Sequence, residues 1–267
     1  NKIFNGVLVP IKIKLFLLIT FIFNSFLMAS DSDLENIFKN KNIEGTLVLE
    51  SLNTKKFYIY NEKRAETLLS PASTFKIPHT LMALNEGVIR ADSIIFWDKT
   101  DKGMTPWNKD QTLESAFKLS CVWCYKEFTL KIAASKYKEY LEKLNYGNKT
   151  IGTDVSDFWL DGSLKITALE QVDFLKKLYK NDLPFKIEHI NTLKNIMIEE
   201  KNENFTLRAK SGWSTRFEFE SGWYVGYIET KEDVWFFATN LITHGQKDLP
   251  LRKEITMEAL KIKGIIN

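Results

Sequence analysis

Ser73-Thr74-Phe75-Lys76 sets a hydroxyl and an amine three residues apart, directly after Pro71-Ala72 and at the start of a segment with helical apolar spacing. At a helix start, side chains at i and i+3 share a face. Free backbone N–H groups and the positive end of the helix dipole favour an anion there. A serine hydroxyl is a weak nucleophile and needs a neighbouring base. A lysine can be that base once burial depresses its pKa. The chemistry within reach of this pair is acyl transfer through a serine ester. The same spacing recurs at Ser115–Lys118 and Ser135–Lys138, inside amphipathic segments where both side chains are expected to be solvated. By itself the pattern also fits an N-cap serine beside a surface lysine.

Two further groups narrow the reading. Lys210-Ser211-Gly212 closes a β-rich segment. It offers a cation, a hydroxyl donor and a residue that lets a ligand approach the backbone. Ser120-Cys121-Val122 lies between the two, and its serine can relay a proton. The order S-x-x-K, S-x-[NV], K-[ST]-G is far more specific than any one member.

The elements that must position these residues fall into three blocks. A short helix is expected at 33–41, then a hairpin from Gly45–Leu52 and Lys56–Tyr60 around Asn53-Thr54. Helical spacing follows over Thr74–Glu86, ending at Gly87, and over 112–119, 122–132, 135–144 and 187–198. Thr167-Ala168-Leu169-Glu170 is a capping box opening a helix to about Lys180. Strands return at 205–210, 222–230 and 234–241, and a helix over 252–261 closes the chain. Strands at both ends with helices between them predict an α+β protein: a mostly antiparallel sheet formed from both chain ends, with an inserted helical region.

Composition excludes several classes. The chain has 267 residues, 44% of them hydrophobic, enough for a sizeable core. A net charge of +3 with both signs mixed gives no support for nucleic acid as a partner. Histidines at 79, 189 and 244 lack ligand spacing, and with two cysteines they predict no metal. No glycine-rich phosphate loop is present. Lys2, Lys12 and Lys14 precede an apolar run over 15–28 and the small residues Ala29-Ser30. That pattern predicts a secretory signal over 1–30 and a single domain over 31–267, in contact with the membrane only during export to the periplasm. Cys121 and Cys124 are expected as buried thiols filling space, since a bridge between them would distort the helix beside Ser120. Met104, Trp97 and Trp107 are expected in the core.

Together with flanking segments, these residues give the chain a family likeness. It resembles the class D (oxacillinase-type) serine β-lactamases. Ser73–Lys76 with Pro71-Ala72 matches their nucleophile segment, and Ser120-Cys121-Val122 their S-x-V. Tyr146-Gly147-Asn148 matches their Y-G-N, and Phe158-Trp159-Leu160-Asp161-Gly162 their F-W-L-x-G. Lys210-Ser211-Gly212 and the Leu249-Pro250-Leu251-Arg252 segment complete the set, so the likeness runs from about Glu44 to the C-terminus.

The resemblance implies a β-lactamase/penicillin-binding transpeptidase-like fold and a monomer or homodimer acting on small β-lactams. Ser73 would form the acyl-enzyme, and Lys76 would carry a CO₂-derived carbamate and act as general base, with no organic cofactor. Val122, Trp159 and Leu160 would wall the lysine, and the Trp159 indole would donate to the carbamate. Ser120 would shuttle a proton, the N–H groups of Ser73 and Trp213 would form an oxyanion hole, and Lys210, Ser211 and Arg252 would hold the substrate carboxylate. Class A enzymes use a glutamate in E-x-x-L-N. Here Leu141-Glu142-Lys143-Leu144-Asn145 puts it one residue too late, leaving Glu142 as an exposed helix residue. The rivals are a penicillin-sensing receptor domain that acylates and stops, a cell-wall peptidase, and an inactive relative.

Overall fold

Apolar residues in the late strands alternate between two faces, and both faces are covered. The structure, a computed structural model, describes residues 31–217 and 219–267. The expected export signal at 1–30 therefore lies outside the described residues. The chain runs α1 (Ser32–Asn40), β1 (Gly45–Ser51), β2 (Phe57–Tyr60), α2 (Glu62–Ala65), a 3-10 turn (Ala72–Phe75) and α3 (Lys76–Asn85). Next come β3 (Ile94–Ile95), β4 (Gln111–Thr112), α4 (Leu113–Lys118), α5 (Val122–Thr129), α6 (Ala134–Leu144), α7 (Ala168–Tyr179) and α8 (Ile187–Ile196). Strands β5 (Ile198–Lys201), β6 (Phe205–Ser214), β7 (Glu220–Thr230) and β8 (Val234–Thr243) lead to α9 (Leu251–Ile262).

The main sheet has the order β2-β1-β8-β7-β6-β5 and is antiparallel throughout. The N-terminal hairpin thus docks on the last strand, as the split pattern of strands predicts. Period-two alternation sends Trp223, Val225 and Tyr227 of β7 into one core, with Val48, Phe236 and the inserted helices. Tyr224 and Ile228 point the other way, into a second core with Leu34, Phe38, Ile255 and Leu260 of α1 and α9. Two buried faces explain why β7 reads as a nearly continuous apolar run rather than a clean alternation. No helix among the described residues is long and apolar enough to cross a membrane.

The helices begin where the sequence signals them. Thr167 and Glu170 form a reciprocal capping box at α7, as expected. A second box opens α4, where the partner of Thr112 is Ser115, a residue outside the usual Glu/Gln pattern. That cap explains the first decoy: Ser115 is engaged at a helix start and Lys118 pairs with Glu114 at 2.6 Å. Ser135 and Lys138 are exposed on α6, and Glu142 is exposed as expected.

Three expectations need correction. The helix expected over 187–198 ends at Ile196, and Ile198 instead opens strand β5 (Ile198–Lys201), which was not expected. Met104 is 49% exposed, because it precedes a short 3-10 turn at the surface. Trp97 is only half-buried and bonds the nearby Thr100 carbonyl. Trp107 does pack on the core, from a half-buried position.

Candidate active site

Ser73 sits in the 3-10 turn and Lys76 opens α3, so the pair straddles a junction between two helix types. Ala72, fully buried, has φ +47°, a left-handed backbone that turns the chain sharply into Ser73. Lys76 Nζ donates to Ser73 Oγ at 3.3 Å. Lys76 has no exposed surface, and no carboxylate pairs with it among the described ion pairs. Its ammonium would lie over the Tyr125 ring, 4.8 Å from the centroid. Burial, helped by the nearby charge of Lys210, holds its pKa well below the ordinary lysine value. That shift favours the neutral amine, the form in which a lysine can act as a base.

The turn is braced from behind. Thr74 Oγ1 donates to Pro71 O and accepts from Gln171 Nε2 of α7, which is fully buried. Ser70 Oγ donates to the Trp159 carbonyl at 3.0 Å, and Trp223 Nε1 donates to the Ser70 carbonyl at 2.9 Å. The segment before the nucleophile is thus tied to the central sheet and to the 158–162 loop. Trp159 is fully buried against Phe75, Phe158 and His79. Its Nε1 is buried without a hydrogen-bond partner among the described residues. A buried N–H is almost always paired, so this one marks a place for an acceptor.

Ser120 does not lie within a helix. It occupies the left-handed position that ends α4, with φ +54°. Its N–H bonds Phe117 O at 3.1 Å and the Cys121 N–H bonds Ala116 O at 2.9 Å, the two bonds of a Schellman ending. Glycine normally takes this place; a serine held there costs about 1–3 kcal/mol in backbone strain. The strain aims Ser120 Oγ at Lys210 Nζ, 2.5 Å away. Val122, half-buried, follows as the first residue of α5.

Cys121 and Cys124 are joined by a disulfide, which corrects the expectation of free thiols. Cys121 is the N-cap of α5, where the backbone is already non-helical, and the Cα atoms lie 5.5 Å apart. That is an ordinary disulfide span. The expected distortion is absent because only Cys124 belongs to the helix.

The opposite wall is β6. Ala209 donates its N–H to Met197 O toward β5. Alternation along the unbroken β6–β7 register sends the Trp213 N–H to the same side, beyond the end of β5. Gly212 lies against the nucleophile turn: a Cβ there would meet Pro71 O and Thr74 Cγ2 at 3.1 Å. Lys210 is buried, its Nζ held by Ser120 Oγ and the Ser211 carbonyl, with the Phe117 ring 5.6 Å away. Burial lowers its pKa to about 7, with Glu199 opposing and Arg252 assisting the shift. Arg252 Nη1 donates to Gly212 O at 2.6 Å and its Nε to Leu249 O at 2.7 Å. A hollow of about 430 Å³ lined by Ser211, Leu249 and Arg252 adjoins them.

The predicted residues therefore form two directly bonded groups, Ser73 with Lys76 and Ser120 with Lys210 and Ser211. Arg252 bonds the β6 backbone. The Trp213 indole turns away to Glu220 and Thr243, and Leu160 is half-buried on the core beside Trp159. Sequence reasoning missed Tyr125, one turn along α5 from Val122. It also missed His79, one turn along α3 from Lys76, and Glu199, which arrives on the unpredicted β5.

Residues 33–261 match the family model of the penicillin binding protein transpeptidase domain. Beta-lactamase OXA-20 of Pseudomonas aeruginosa is 43% identical over 228 residues, 84% of each chain. The crystal structure of FUS-1 (OXA-85), a class D beta-lactamase from Fusobacterium nucleatum, superposes with a TM-score of 0.87 at 39% identity, covering 89% of this chain and 100% of that one. The regulatory protein BlaR1 of Bacillus licheniformis is 36% identical over 87% of this chain but only 39% of its own length.

Proposed function

Because the chain belongs to the class D serine β-lactamases, we propose that it opens the β-lactam ring through an acyl-enzyme on Ser73 and confers β-lactam resistance. The observation that carries this reading is the fully buried Lys76 amine 3.3 Å from Ser73 Oγ, where burial pushes its pKa well below the ordinary lysine value. Ser73 Oγ attacks the lactam carbonyl as its proton passes to the base at Lys76. The N–H groups of Ser73 and Trp213 receive the oxyanion. As the C–N bond breaks, Ser120 Oγ, linked to Lys210, delivers a proton to the ring nitrogen. Lys210, Ser211 and Arg252 hold the substrate carboxylate. A water activated at Lys76 then releases the acyl group.

Two features fit a carbamate on Lys76: burial that favours the neutral amine, the form able to take up CO₂, and the unpartnered Trp159 Nε1. When present, that group supplies a carboxylate-like base in place of the amine. No organic cofactor enters the scheme. Export to the periplasm is supported by the apolar segment over 15–28 and by a disulfide suited to an oxidising compartment.

The test follows hydrolysis of a chromogenic cephalosporin by the wild type and Lys76→Ala, with and without bicarbonate. Multiple turnovers that need Lys76 and rise with bicarbonate are expected. A stoichiometric burst that leaves Ser73 acylated would instead make the chain a sensor, the reading that the likeness to BlaR1 favours.

A further inference from the structure

We propose that the Cys121–Cys124 disulfide is a positioning device for Ser120, fixing the short link that aims its hydroxyl. This rests on the proton-transfer role given to Ser120 above.

The link between α4 and α5 is only Leu119, Ser120 and Cys121. Cys121 ends one helix and starts the next: its N–H closes the Schellman ending of α4 while its side chain caps α5. The cap is a sulfur accepting the Cys124 N–H at 3.3 Å. Sulfur is a weak acceptor, and Ser, Thr, Asp or Asn would be the preferred caps. The covalent bond to Cys124 anchors Cys121 to the first turn of α5, a fixation that a hydrogen-bonded cap alone does not supply.

Trp107 holds the link from a third side. Its Nε1 donates to Leu119 O at 3.0 Å, and Trp123 Nε1 donates to Trp107 O at 3.1 Å. Ser120 is thereby bracketed by an anchored carbonyl before it and an anchored, crosslinked residue after it. Its left-handed backbone has little room to relax. Both sulfurs are fully buried, so the crosslink is a permanent brace rather than a switch open to solvent reductants.

The experiment compares Cys121→Ser/Cys124→Ala, which keeps a hydroxyl cap, with Cys121→Ala/Cys124→Ala. Each is made in the wild type and in Ser120→Ala, with folding checked by circular dichroism. The wild type unfolded without reductant should show no free thiol. In the wild-type background both variants should lose about tenfold or more in kcat while KM moves by less than about threefold, because a small misplacement of a reacting group is costly. In the Ser120→Ala background the same changes should cost nothing further. Wild-type kcat without the crosslink, an equal loss in both backgrounds, or two free thiols would overturn the proposal. If Ser120→Ala itself turns over normally, the reading of Ser120 fails, and the positioning role with it.

Discussion

Replacing Trp159 by phenylalanine removes one N–H while keeping an aromatic ring among Phe75, Phe158 and His79. With Lys76 unmodified, the indole N–H is buried and unpaired, a state that costs about 1–3 kcal/mol. The smaller ring gives up roughly 1–2 kcal/mol of packing. The two changes oppose each other, so the melting temperature should move little in bicarbonate-free buffer. With a carbamate on Lys76 the same N–H gains an anionic acceptor. A hydrogen bond to a charged group contributes about 1.5–3 kcal/mol, which is about 10- to 150-fold in an equilibrium constant. The bicarbonate concentration giving half-maximal turnover should rise by that factor in Trp159→Phe. Bicarbonate should also stabilise the wild type against heat more than the variant, because a ligand stabilises the state that binds it. Initial rates of cephalosporin hydrolysis across a bicarbonate series, with matched melting curves, provide the measurement. Equal half-saturation in the two proteins would refute the assignment of Nε1 to the carbamate.

Other perturbations follow from the same geometry. Lys76→Met should abolish turnover yet be more stable than the wild type at pH 7 without bicarbonate. The folded-state pKa of Lys76 lies below the unfolded value, so the unfolded chain binds the proton first as pH falls below about 10.5, and each unit of depression costs about 1.4 kcal/mol. Urea unfolding should show the variant's advantage shrinking as pH rises toward 10, and a less stable variant at pH 7 would contradict the lowered pKa of the buried amine. Lys210 titrates at about 7, so kcat/KM for a carboxylate-bearing substrate should fall as pH rises through that value and its cation is lost. Lys210→Arg should push that limb to higher pH at a lower absolute rate, and a wild-type profile flat between pH 6 and about 9 would count against the role. Gly212→Ala should destabilise by about 1–3 kcal/mol and lower kcat/KM, since its Cβ would press on Pro71 O and Thr74. Unchanged melting and kinetics would show that the strand and turn can separate freely.

The residues that act in order along the chain were legible because their spacing is local. Ser73 with Lys76, the capping box at Thr167 and the strand ending in Lys210-Ser211-Gly212 each declare themselves within a few positions. What escaped depends on contacts between distant segments. Strand β5 reads as polar, IEEK, because three of its four residues are exposed and only its pairing to β6 makes it a strand. His79 looked like a stray histidine, yet it is fully buried against Tyr125, Tyr137 and Trp159 and bonded to the Tyr137 hydroxyl. The disulfide was misread because an i,i+3 cysteine pair within one helix differs from a pair whose first member is the cap. Only the left-handed turn at Ser120 distinguishes them, and a serine does not advertise that backbone as glycine would.

The sheet order also dictates when this protein can begin to exist as a folded object. Gly45 of β1 lies opposite Leu241 of β8, and Lys263 after α9 bonds the Asp31 and Asp33 carboxylates around α1. The first strands made must therefore wait for almost the last, and loop closure over such separations is slow. A nascent chain lacking β8 would expose the open sides of both β1 and β7, each rich in β-forming residues, as sites for wrong pairing. Synthesis and assembly are thus separated in time, and the burden of the waiting period falls on whatever keeps the unfinished chain from pairing with its neighbours.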